Sequence, residues 1–425
     1  MEQDKLEQKI EEIDATIPEK RNPISFQKLT ETLNKWLLIK DENIIKVVAG
    51  VVIANRLPTD PVWLFIVAPS GGTKTEFIRG LDKIEGIYPI SDLTPQTFLS
   101  GERGKKDASL LFRLPDNPIL TYKDFTTVLT MHFDKKHAIL SQLREIYDGS
   151  YRKEFGTGES KFWKGKLGFI AGVTPVIDNH GGVYAVLGER FIQYRPIQPD
   201  VIQLSRRAME NSGGENQMRE EIQNAFADYV AGVKIPSEKI QQPEELKDRI
   251  AHLAAFCVKA RSGVIREGYS TREIELIPDA EVPTRFAKQI ITMADTFYLM
   301  NEMKLEETDY TLLTKMGLDS IPQKRRLILE VLMNTEDYLE TSYVATKIDY
   351  PTNTTRRTLE DLHGLGLLAR LHEGQGHADK WMINERTREF LSKANIKVAT
   401  VRKPVNEQEN ESVPEKSDES LEGLF

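Results

Sequence analysis

Four short apolar runs, "VWLFIVA", "PILTYKD", "KLGFIAGV" and "RFIQYRP", are separated by stretches of helical periodicity. A strand that is apolar on both faces needs cover on both sides. Such runs alternating with helices predict a mainly parallel sheet in an α/β domain. A chain of 425 residues has room for two or three cores.

The remaining organisation follows from composition. Residues 1–25 form a charged segment that ends at "IPEKRNPIS"; residues 26–214 contain the α/β core. Residues 215–318 read mostly as helices, residues 319–398 as a small helical unit ending in two short strands, and residues 399–425 as a disordered acidic tail. The opening "MEQDKLEQKIEEID" lacks the basic start and apolar region of a secretory signal. The run "IIKVVAGVVIA" is short and interrupted by Lys46, which predicts a core helix rather than a membrane span of about 18 apolar residues. A cytoplasmic protein without a membrane partner is expected. The single cysteine, Cys257, excludes an intramolecular disulfide framework and a cysteine metal cluster.

The net charge of −8 is concentrated at the ends: residues 1–20 carry −4 and residues 405–425 carry −6. Subtracting both leaves +2 for the body, which is compatible with a nucleic-acid partner.

The run "FIVAPSGGTKTE" reads as a strand entering a phosphate-binding loop. Such a loop needs inward N–H groups, a lysine for the β/γ-phosphates and a hydroxyl for Mg²⁺. In the register G-x-x-x-x-G-K-[ST], Ala68 and Thr73 stand at the two glycine positions, with Lys74 and Thr75 intact. Gly71 and Gly72 supply permissive backbone one step early, beside Ser70. The same residues also describe a glycine-rich strand-to-helix turn. About fifty residues on, "NPILTYKDF" ends an apolar run in Asp124, a residue that could hold Mg²⁺ through water or polarise a water, or could simply cap the next turn. Next, "YRKEF", "GTGES" and "KFWKGKL" read as a hairpin. Its Arg152, Lys153, Lys161, Lys164 and Lys166, interleaved with Phe162 and Trp163, suit a nucleic-acid backbone.

Loop, acid-ended strand, hairpin, polar-ended strand and then "GERF" together resemble an AAA+ P-loop ATPase core. The hairpin ahead of the "AGVTP" strand resembles the pre-sensor-1 hairpin clade, which includes the minichromosome maintenance helicases. The resemblance covers about residues 40–300 and implies ATP and Mg²⁺ as cofactors, with residues 215–318 as a helical lid. It makes Asp124 the catalytic acid, Thr174 the sensor, Arg190 of "LGERF" the arginine finger and Arg285 of "VPTRFAKQI" the sensor-2 arginine. Lys123 stands where the family carries a second acid. A finger that reaches a neighbouring subunit implies a homo-oligomer, a hexameric ring in this family.

From Gln323, three helices and two strands follow the plan of a winged helix-turn-helix domain. The third helix opens with Thr352, Asn353, Thr354 and Thr355, then Arg356 and Arg357, a set suited to a major groove. Leu359, Leu362 and Leu365 are expected to face the core. Lys380 is placed for a phosphate contact, and the end "SLEGLF" could dock a replication partner. The resulting expectation is an ATP-dependent DNA helicase, translocase or replication-initiation ATPase of phage or mobile-element type. The alternatives are a nucleotide-switched DNA-binding regulator with little hydrolysis and a helicase loader.

Overall fold

The computed structural model describes residues 21–71, 73–101, 108–179, 190–268, 272–372, 374 and 378–396. The chain opens with α1 (Phe26–Trp36), N-capped by Ser25, whose hydroxyl accepts from Lys28 N–H. It is followed by α2 (Asn43–Ala54). As its sequence predicts, α2 is a core helix: every residue from Ile44 to Ala54 is buried except Lys46, whose ammonium pairs with the buried Asp309.

The α/β unit then runs β1 (Trp63–Val67), α3 (Lys74–Arg79), β2 (Ile87–Ile90), β3 (Ile119–Tyr122), α4 (Phe133–Tyr147), β4 (Ser150–Glu154), β5 (Ser160–Lys164), β6 (Gly168–Val173) and β7 (Phe191–Tyr194). Single helical turns stand at Leu110–Arg113 and Thr126–Leu129. Strands β2, β3, β6, β1 and β7 lie side by side in that order, and all four pairings are parallel. The four apolar runs are therefore strands of one parallel sheet, as expected. The fifth strand, β2, contains Pro89, whose missing N–H is tolerated because β2 is at the edge.

Alternation along β1 divides the interior into two cores. Leu64 and Ile66 face α2 and the later helices, while Trp63, Phe65 and Val67 face an aromatic layer. There Phe65 stacks on Phe191 with ring centroids 3.7 Å apart, and Phe125 packs across both Phe65 and Phe169. The layer fixes the ends of β1, β6 and β7 relative to one another, which matters for the residues just beyond them.

Helices α5 (Val201–Glu210), α6 (Glu215–Gly232), α7 (Glu244–Arg261), α8 (Thr284–Met300) and α9 (Glu307–Asp319) follow, interrupted by the small antiparallel pair β8 (Ile265–Arg266) and β9 (Ile274–Leu276). Helix α8 lies against α2, where a Cβ at Gly50 would come within 3.1 Å of both Met293 and Phe297 side chains. The fully buried Asp319 ties β7 to this region: it accepts from Arg195 N–H and pairs with Lys315 and Arg326.

The last unit comprises α10 (Gln323–Met333), β10 (Leu339–Glu340), α11 (Thr341–Ile348), α12 (Thr352–Gly364), β11 (Leu368–Leu371), β12 (Lys380–Ile383) and α13 (Glu385–Lys393). Its sheet has three antiparallel strands in the order β10-β12-β11, one more than the sequence patterns indicate. Leu359, Leu362 and Leu365 are buried as expected, and Trp381 donates from its ring nitrogen to Thr341 Oγ1 at 2.8 Å. Among the described residues no helix is long and apolar enough to cross a membrane.

Candidate functional site

The carboxyl ends of β1, β3 and β6 form one edge of the sheet, the place where open parallel sheets bind ligands. From β1 the chain turns through Ala68, Pro69, Ser70 and Gly71 into α3; Gly72 lies outside the described residues. Gly71 adopts φ +79° with open space where a side chain would be, so the loop uses a conformation that favours glycine. Ser70 is exposed, Thr73 and Thr75 are half-buried, and Lys74 is 5% exposed.

Among the described residues the Lys74 ammonium has one hydrogen-bond partner, the Pro69 carbonyl at 2.9 Å. Burial lowers its pKa, and the charge of Asp124 opposes that shift. A buried cation held by a neutral carbonyl is costly, and an anion in the loop would relieve it. Gly172 of β6 makes room for the lysine stem, since a Cβ there would lie 3.3 Å from Lys74 Cδ and 2.5 Å from the Lys123 carbonyl oxygen. A small cleft of mixed character lies beside the loop, bounded by Ile39, Asp41, Ile44, Phe77, Ile197 and Gln198.

The β6 strand lies between β1 and β3, so its polar end stands between the Lys74 loop and Asp124. Thr174 N–H donates to Thr126 Oγ1 at 3.0 Å, and the two hydroxyls are 3.1 Å apart. Thr126 N–H in turn donates to Asp124 Oδ1 at 3.1 Å, leaving Asp124 exposed at the edge. Lys74, Asp124 and Thr174 are thus brought together, with Thr126 as a link the sequence motifs did not supply. Lys123 acts on Asp82, whose pKa is raised by burial and eased by Lys123 and Arg79.

Arg190 and Arg285 are at the other end of the sheet. Phe191 pairs with Trp63, the first residue of β1, so Arg190 lies roughly 15 Å from the loop along a five-residue strand. Arg190 is 2% exposed and donates to Asp148 Oδ2 at 2.6 Å. Burial lowers its pKa, partly offset by Asp148. Arg285 pairs with Glu281 four residues earlier. Both guanidinium groups flank Tyr147, at 5.5 Å and 5.9 Å from its ring centre. Gln289 donates to the Arg190 carbonyl and to the Tyr147 hydroxyl, joining α8 to this cluster. Gly188 and Glu189 of the "GERF" motif lie outside the described residues.

The hairpin forms as predicted, with Arg152 opposite Phe162 and Lys153 opposite Lys161. Its two faces differ, which corrects the assignment of Lys153 and Lys161 to nucleic-acid contact. Lys153 donates to the carbonyls of Pro95 and Leu99, and Lys161 to that of Ser100, so both ammonium groups hold the 95–100 loop. The opposite face presents Arg152 over the ring of Phe162, which is 49% exposed, and the exposed Lys164.

On α12, Thr352, Asn353 and Arg356 are exposed, while Thr354 and Arg357 are half-buried. Thr355 is 1% exposed and its hydroxyl donates back to the Pro351 carbonyl, so it is a packing residue rather than a surface contact. Its spacing from Leu359 and Leu362 placed it on the buried stripe in the sequence. Further along α12, Arg266 of β8 binds Glu360, Asp361 and the Arg357 carbonyl. Lys380 is half-buried at the start of β12, paired across the sheet with Leu371 and Glu340.

No protein-family model and no curated protein matches this chain. Among solved structures it is similar to the apo A form of the NrS-1 C-terminal region, at 11% identity and a TM-score of 0.29, covering 86% of this chain and 77% of that one. It is also similar to the S. cerevisiae Hsp104–ADP complex, at 16% identity and a TM-score of 0.25, covering 88% of this chain and 55% of that one. Overlaps this loose leave the functional reading to the geometry of the site.

Proposed function

We propose that the chain is an AAA+-type ATPase that acts on DNA as an oligomeric ring. The observation that carries this reading is the convergence of Lys74, Asp124 and Thr174 at the carboxyl edge, with Gly172 leaving space for the lysine. Lys74 and the Gly71 backbone suit a triphosphate, since a buried ammonium beside a permissive loop lacks only an anion. Thr75 and Asp124 would hold Mg²⁺, which when bound draws charge from the transferring phosphoryl group.

The chain's own residues then divide the work. Lys74 positions the β/γ-phosphates, and Asp124 polarises the attacking water. Thr174, oriented by Thr126, reports on the γ-phosphate end. Arg190 and Arg285 lie too far from Lys74 to serve the same subunit's site, which favours service to a neighbouring one. In that reading the Arg190–Asp148 pair opens on assembly, while the less buried Arg285 needs less rearrangement. Core, helical lid at 215–318 and a winged-helix unit at 319–398 are the corresponding domains. The outer hairpin face (Arg152, Phe162, Lys164) and the α12 start (Thr352, Asn353, Arg356) are the proposed DNA contacts, Lys380 adding a phosphate contact.

Lys123 in the place of a second acid favours one alternative, a nucleotide-switched DNA-binding regulator that turns over slowly, because Mg²⁺ positioning then rests on Asp124 and Thr75. ATP turnover with and without DNA separates the two. DNA-stimulated turnover that disappears in Lys74→Ala supports the motor, and turnover no higher than that variant's supports the switch.

A further inference from the structure

Away from the sheet edge, α7 and α8 each turn one stripe toward an open cavity of about 620 Å³, also lined by residues 238–242 and the Leu57–Asp60 turn. The volume is within the range of small-molecule sites. Ile250 of α7 with Ala287 and Ile291 of α8 forms an apolar wall; Ala287 and Ile291 are half-buried because only their other side meets the core.

At one end of this wall stands Asp295, 6% exposed. Its Oδ1 accepts from Gln242 Nε2 at 2.8 Å, and Gln242 is buried as well. That bond orients the amide, so Gln242 Oε1 is its remaining polar atom. Neither Asp295 Oδ2 nor Gln242 Oε1 accepts a hydrogen bond from the described residues, and both are open to solvent. Asp295 has no ion pair among them either; Lys239 acts on it through space. The other cations at the cavity are engaged, Lys247 with Glu244 at 2.6 Å and Lys288 with Asp60 at 3.0 Å, and Glu238 adds a further acid.

We infer that this cavity binds a small amphipathic primary amine, its aliphatic chain on Ile250, Ala287 and Ile291 and its ammonium donating to Asp295 and Gln242. Two acceptors on one cavity wall, with no donor to them among the described residues, suit a group that only donates, and an ammonium has three N–H donors and no acceptor. Lys239, which also lines the cavity, acts on Asp295 only through space, and a ligand ammonium would add a directly bonded cation. Burial raises the Asp295 pKa, against the Gln242 hydrogen bond and the charge of Lys239. An alcohol offers one donor and no charge. A carboxylate ligand would be repelled.

The test is calorimetric titration of the full chain, without nucleotide or DNA, with n-hexylamine, 1-hexanol and hexanoate. Hexylamine is expected to bind, hexanol at least about tenfold more weakly, and hexanoate not at all. Asp295→Asn should erase the preference for amine over alcohol. Ala287→Phe, at a half-buried position that tolerates added bulk, should abolish binding of both while leaving the thermal melt near that of the wild type. Absence of hexylamine binding, equal binding of hexylamine and hexanol, or undiminished binding to Ala287→Phe would each overturn the assignment. The readout is independent of ATP turnover, so it can fail or succeed separately from the proposed ATPase activity.

Discussion

Gly172 lies against Lys74: a Cβ on the glycine would stand 3.3 Å from the lysine Cδ and 2.5 Å from the Lys123 backbone oxygen. The lysine can flex, but the carbonyl belongs to the end of β3 and cannot move without carrying Asp124 with it. Gly172→Ala is therefore expected to weaken ATP binding by about tenfold or more and to cost about 1–3 kcal/mol of stability through overpacking. Equilibrium ATP binding and urea unfolding of the two proteins check both effects.

Arg285 is half-buried, and its loss should barely affect folding, by less than about 1 kcal/mol for a partly exposed ion pair. Arg285→Ala should bind ATP as the wild type does yet fail to turn it over. Neither Lys74→Ala nor Arg285→Ala should be active alone. Mixing the two should restore part of the activity, because some interfaces then combine an intact Lys74 with an intact Arg285. Turnover assayed across mixing ratios measures this, and no recovery at any ratio would place Arg285 outside a shared site.

The two faces of the hairpin should separate in mutagenesis. Arg152→Ala and Lys164→Ala are expected to weaken DNA binding and to lower the salt dependence by about 0.9 per lost duplex phosphate contact, with little change in melting temperature. Lys153→Ala and Lys161→Ala remove donors from the carbonyls of Pro95, Leu99 and Ser100. They should lower stability while leaving the salt slope unchanged, as fluorescence anisotropy at several salt concentrations would report.

Much of this was legible in the sequence. The apolar runs of β1, β3, β6 and β7 show as strands because buried parallel strands are apolar on both faces. β2 does not, since "GIYPI" is short and broken by Pro89, tolerated only because the strand lies at an edge. Strand neighbours are not encoded locally, so the position of β6 between Lys74 and Asp124 had to come from the fold. Period-two alternation already separated Lys153 and Lys161 from Arg152, Phe162 and Lys164, but which face is covered depends on the 95–100 loop, 54 to 61 residues upstream of the lysines it meets. Gly172 carried a signal, as a glycine inside an apolar strand often marks a close approach.

Lys166 gives a pH-dependent prediction. Its ammonium donates to the Leu57 carbonyl at 2.8 Å, and burial lowers its pKa to about 8, opposed by Asp60. The unfolded chain therefore binds more protons than the folded one between about pH 8 and the ordinary lysine value of 10.5. The penalty is fully present below pH 8 and fades as pH rises through that window. Relative to Lys166→Met, the wild type should gain stability from pH 8 to pH 10, measured as the difference in urea midpoint.

The most direct measurement is equilibrium binding of ATP with Mg²⁺ to the wild type and to Lys74→Ala, followed by turnover under the same conditions. Saturable binding by the wild type, lost or weakened at least about tenfold in the variant, is the expected result. Equal affinity of the two proteins, or no ATP binding by either, would contradict a phosphate site at Lys74.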